Sequence, residues 1–131
     1  MAEATGYRPM TVARLAHLIR AEPERVRFFL AEFLTEFDGE KSQESRAELL
    51  REEPSRVTQR IDAFLAGLAE YLSMRDGLDV PAWVSGDGRY LDAFWFFAGC
   101  NLKYRGHDMI DTPAGFFVHG ILIPRETLGR A

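Results

Sequence analysis

The hexapeptide "GHDMID" at residues 106–111 holds the residue types best suited to chemistry in this chain. If the segment is helical, His107 and Asp111 lie four positions apart and face together, with Asp108 beside His107. An imidazole and carboxylates so placed could bind a metal ion or relay a proton. His107, Asp108 and Asp111 are therefore the candidate centre of a small metal-dependent hydrolase. The competing reading is structural: one of the aspartates begins a turn and His107 is solvated. Elsewhere the signals for catalysis are weaker. "SGDG" at 85–88 has the glycines of a tight turn without the spacing of a phosphate or calcium loop. No serine sits in a nucleophile elbow, and Cys100 has no histidine beside it, so it reads as a small buried hydrophobe. His119 falls in the last turn of a short predicted helix, where the helix dipole favours a cation, which points to a structural role. No cofactor is expected.

A second chemistry is nucleic-acid binding. In "TVARLAHLIRAEPERVRFFL" the "VARLA" piece resembles the first helix of a helix-turn-helix reader, which makes residues 11–37 a candidate DNA-binding unit with Arg14, Arg25 and Arg27 as its contacts. The linking segment is longer than the short glycine-containing turn of such readers and carries Glu22 and Glu24. Phosphate contacts dominate DNA affinity, so those glutamates oppose docking. The whole chain is acidic, with 16 basic against 20 acidic residues and a net charge of −4, which also disfavours non-specific binding.

The elements that would position these groups follow from periodicity. With 131 residues the chain fits one domain, 1–131, that buries roughly two thirds of its unfolded surface. Residues 1–10 read as a tail without the layout of a signal peptide, and no apolar run reaches membrane-spanning length. Residues 11–77 read as the helical half. Val12, Leu15, Ala16 and Ile19 share a helical face behind Thr11 as a cap. Pro23 opens the next helix, where Val26, Phe29, Leu30, Phe33, Leu34 and Phe37 form the cleanest stripe in the chain, stopped at Gly39. A weaker helix over 41–54 carries Ala47, Leu49 and Leu50. A long one runs to about Arg75 with Val57, Ile61, Phe64, Leu65, Leu68 and Leu72 inward, and Gly77 ends it. Residues 78–131 are the aromatic, loop-rich half, with a short helix from Pro113 capped by Thr112. "ILI" at 121–123 is a possible strand with little to pair with. The fold class is mainly α: a single-domain helical bundle of about five to seven helices.

"RYLDAFWFFAGCNL" at 89–102 reads as a further helix, with Leu91, Phe94, Trp95 and Ala98 on one face, and Tyr90 and Phe97 flanking it. Large aromatics bury about 150–250 Å² each, so the stretch is expected to be core. On that helix Phe96 points away. With Phe28, which lies off its own stripe, and Phe116 and Phe117, it forms the candidate partner-binding surface.

Taken in order, "LAEFLTEF", "RAELLREEP", "LAEYLSMRDGLDVPAWV", "RYLDAFWF" and "TPAGFFVHGILI" resemble an uncharacterised actinobacterial family found as the region following a small helix-turn-helix domain in regulators. The resemblance covers the chain from about residue 11 onward. It implies a regulatory or interaction module, antitoxin-like in kind, and brings no catalytic residues. In the family a basic "FRRRG" stands where this chain has "FFVHG" at 116–120, and no separate DNA-binding domain precedes residue 11. Both departures favour protein contact over DNA. The His-Asp pair also resembles that of metal-dependent phosphohydrolases, but His17 and His119 do not supply the further ligands these need. The expectation is therefore a non-enzymatic, cytoplasmic, bacterial-type protein. It binds a protein partner or itself, with no membrane role and nucleic acid disfavoured.

Overall fold

A computed structural model describes residues 9–97 and 111–128. Among these the chain is mainly helical, with five α-helices and one two-stranded parallel sheet. No helix of the described residues is long and apolar enough to cross a membrane.

Helix α1 (Val12–Ala21) starts where the Thr11 hydroxyl accepts the Arg14 N–H at 3.0 Å. It buries Val12, Ala13, Leu15, Ala16 and Ile19. A single tight turn, Pro23–Arg25, leads into α2 (Val26–Gly39), and all six residues of the predicted stripe are buried. Ser42 caps α3 (Gln43–Arg51), which buries Leu49 and Leu50 and leaves Ala47 half-buried. Thr58 caps α4 (Gln59–Asp76), and Gly77 ends it in the left-handed conformation at φ 72°.

Helix α4 is the axis of the domain. Its residues from Asp62 to Ala69 are buried without interruption, so no face of that stretch meets water. A helix apolar on all sides belongs in a core. Helices α1 and α3 pack on it, and α5 (Ala114–Phe117) crosses it more extensively than any other element. That crossing is close because two glycines meet it. A Cβ on Gly115 would lie 2.6 Å from the Tyr71 backbone, and one on Gly67 would lie 3.0 Å from the Phe116 ring. At the far end of α4, Arg46 donates to Asp76 at 2.9 Å and to the Asp38 and Glu40 carbonyls. Arg75 bridges Asp38 and Asp76. Hydrogen bonding from Arg75 holds the Asp76 carboxyl below the ordinary carboxylate range, with Arg46 adding to the effect and burial opposing it.

The second half departs from expectation in three places. Residues 89–97 are not helical. Leu91, Trp95 and Phe97 donate their N–H groups to the carbonyls of His119, Gly120 and Leu122, and β1 (Trp95–Phe96) pairs in parallel with β2 (Ile121–Leu122). The "ILI" segment thus finds its partner in the aromatic run. Bulky aromatics suit a pleated, half-buried surface as well as a helix, and tertiary pairing decides between them. The burial changes accordingly: Phe97 is buried against Phe64 with ring centroids 4.6 Å apart, and Phe96 is half-buried rather than turned away. Second, Thr112 does not cap α5. Its hydroxyl accepts the Ile123 N–H at 3.0 Å, tying the approach to α5 to the strand beyond it, and Pro113 holds the cap position. Third, Phe116 belongs to the core. It is fully buried and lies against Phe64 and Tyr71.

Replacing Gly115 with Ala forces the α4–α5 crossing apart. Gly115→Ala is expected to destabilise by about 1–3 kcal/mol in chemical denaturation. Gly39→Ala, where a Cβ would meet nothing within 4 Å, should be neutral or slightly stabilising.

Candidate functional site

Side chains of chemical interest gather where the 86–97 loop meets α4, α5 and β2. Arg89 enters this region fully buried. Its Nη1 donates to the Asp62 carbonyl at 3.1 Å, and its Nη2 donates to the Pro54 carbonyl at 3.0 Å and the Glu53 carboxylate at 2.9 Å. The guanidinium lies 4.9 Å from the Trp83 ring centroid, and Trp83 Nε1–H donates to the Leu50 carbonyl. One cation thus binds the end of α3, the start of α4 and the loop. A flat fork of donors suits such a set of separated acceptors. The Arg89 Nε has no hydrogen-bond partner among the described residues.

The second buried polar group is His119, two residues beyond the end of α5. Its Nδ1 lies 2.6 Å from the Arg89 carbonyl and its Nε2 lies 2.7 Å from Glu70 Oε1 on α4. The Tyr90 ring stacks on the imidazole at 4.3 Å between centroids. The His119 ring is thus held from both sides, and the residue lies beyond the last helical turn rather than within it.

These anchors hold an apolar surface in the open. Tyr90 is 45% exposed, Phe94 50%, Phe117 40% and Val118 52%. The Phe94 and Phe117 rings touch at 5.0 Å between centroids, so the loop and the end of α5 contribute to one cluster. Of the candidate partner-binding residues, Phe117 belongs to this cluster and Phe116 does not, being core. Phe28 is 48% exposed on α2, beneath the Arg25 guanidinium at 4.4 Å. Tyr90 and Phe94 escaped the sequence reading because a helical register placed both with the buried face.

The other candidate centres fare differently. His107 and Asp108 lie outside the described residues. Asp111 accepts the Arg125 backbone N–H at 2.9 Å and sits 3.8 Å from its guanidinium, a role that closes the C-terminal turn. No group of three or more potential metal ligands converges among the described residues. Arg14 is half-buried and Arg25 pairs with Glu22 at 3.5 Å, while Arg27 is exposed. The exposed face of α2 continues from Arg27 and Phe28 through Ala31 to Glu32 and Glu36, so the basic start gives way to acid. An open groove of about 490 Å³ runs between α4 and α5, lined by Tyr71, Met74, Gly115 and the arginines 75 and 125. Both arginines already face carboxylates.

The Arg89 fork generates a prediction. Arg89→Lys keeps the charge but reaches fewer of the carbonyls, and should cost on the order of 3 kcal/mol in denaturant unfolding. Glu53→Gln, at a half-exposed partner, should cost under about 1 kcal/mol. A loss as small for the lysine variant would show that the buried carbonyls do not depend on the fork.

No known family model, no curated protein and no solved structure matches this chain.

Proposed function

We propose that this chain is a non-catalytic protein-interaction module, regulatory and antitoxin-like in kind, acting in the cytoplasm and docking a partner protein through Tyr90, Phe94, Phe117 and Val118. The observation that carries the reading is the exposure of these four side chains, two of which, Phe94 and Phe117, touch across the loop and the end of α5. Three aromatics exposed by 40–50% and a valine amount to on the order of 300 Å² of exposed apolar surface, with Phe94 and Phe117 in ring contact. A patch of that size costs solubility when left bare, and patches of that kind are commonly functional. Aromatic anchors near the centre of an interface usually supply most of its affinity. The resemblance to the actinobacterial regulatory region points the same way, as does "FFVHG" in place of a basic segment.

The acidic continuation of the α2 face supports protein contact over DNA, because Glu32 and Glu36 would face the phosphates of a docked duplex.

The test is the double variant Phe94→Ser/Phe117→Ser. Both side chains lie on the surface, so its thermal midpoint should stay within about 3 °C of wild type. In light scattering over a concentration series, and in purification of the tagged chain from its own host, wild type should form a stoichiometric complex with itself or one partner. The variant should lose that complex. An identical assembly state for the two proteins, or a wild type that associates with nothing, would contradict the proposal.

A further inference from the structure

Beside the aromatic patch, the surface carries two opposite charges that the fold leaves unused. An open hollow of about 260 Å³ lies between the start of α4 and the 91–95 segment, and its lining includes Arg60, Asp92, Phe94 and Trp95. Arg60 and Asp92 are both exposed. The Arg60 guanidinium lies 5.6 Å from the Trp95 ring centroid, a contact that holds it at the hollow. Neither charged side chain forms an ion pair or a hydrogen bond among the described residues. The arginines nearby differ in this, since Arg56, Arg75 and Arg89 each face a carboxylate. Phe94 lines the hollow and belongs to the patch, so the two share a wall.

These features define the surface that would cover them. It must be apolar opposite Phe94, bring a carboxylate to Arg60 and bring a cation to Asp92. A second copy of this chain supplies all three. In a two-fold contact one patch meets itself, so each residue faces its counterpart's partner reciprocally. An axis through the hollow sets Arg60 of each copy before Asp92 of the other and brings the two Phe94 rings together. A patch charged with one sign would repel its own copy, whereas this one carries both signs. Stable interfaces of standard size cover about 800 Å² on each partner. The exposed apolar patch, on the order of 300 Å², supplies the centre of such a contact, and the charged ground around the hollow supplies its rim. Exposed ion pairs add little affinity but fix orientation.

We propose that the patch is the centre of a two-fold homodimer in which Arg60 of each copy pairs with Asp92 of the other. The inference rests on the docking reading for the patch and adds the identity of the partner and the orientation of the contact.

Arg60→Glu and Asp92→Arg, alone and mixed, test it by light scattering and sedimentation equilibrium over a concentration series. Both positions are exposed, so thermal midpoints should stay within about 3 °C of wild type. Wild type should dimerise reversibly. Each variant alone sets like charges together at both pairs, and its dimer dissociation constant should rise at least about tenfold. Mixed in equal amounts, the two variants should dimerise with each other about as tightly as wild type, because both contacts then join opposite charges. Single variants that dimerise like wild type, or a mixture that recovers nothing, would overturn the pairing. A wild type that stays monomeric up to about 1 mM would also overturn it. If that monomer captures a different protein and Phe94→Ser/Phe117→Ser loses it, the homodimer falls while the docking reading stands. Dimerisation unchanged in that double variant would sink both.

Discussion

A two-turn stretch of helix with no solvent face is the constraint on which the rest of this structure depends. From Asp62 to Ala69 every position of α4 is covered, and apolar burial is non-directional, so hydrophobicity alone does not say how the covering elements sit. Two kinds of contact supply the direction. Gly67 and Gly115 mark where α5 comes close to α4, since a Cβ at either would meet tightly placed atoms. Arg89 and His119 then fix the loop by hydrogen bonds to particular partners on Pro54, Asp62 and Glu70. Fully buried polar groups of this kind are costly unless satisfied, and so they favour one arrangement over its neighbours.

How much of this was legible depends on the range of the interaction. The stripe from Val26 to Phe37, the Thr11 cap and the left-handed Gly77 are local and follow from spacing within a few turns. The aromatic run was misread because Leu91, Phe94 and Trp95 fit a helical face as well as they fit a strand. What selects the strand is a row of carbonyls from His119 to Leu122, more than twenty residues away in the chain. The error in Phe116 has the same origin, since its burial depends on Phe64 and Tyr71 on another helix. The Glu70–His119 pair spans 49 residues and Arg89–Glu53 spans 36, separations at which spacing carries no signal. A charged residue opening an otherwise apolar run, as Arg89 does, was the one local hint available. Of the four residues in the exposed cluster, Phe117 alone is among those singled out by the sequence as partner-binding.

The region where local pattern and tertiary structure disagree is also the region that carries the docking surface in our reading. Such disagreement is expected at functional positions, where a sequence serves something besides its fold. The apolar residues that a helical register would have hidden, Tyr90 and Phe94, face outward because the extended chain turns Phe97 inward instead. The anchors and the patch are thus one construction: Arg89 and His119 hold the backbone in a form that leaves three aromatic rings in water.

The most direct test of this account is the backbone and ring geometry of residues 89–97 in solution by NMR. The strand pairing requires strand-like secondary chemical shifts at Trp95 and Phe96, a parallel contact between Trp95 and Ile121, and ring-to-ring contacts between Phe94 and Phe117. Helical shifts across 89–97, with Phe94 packed into the core, would contradict it.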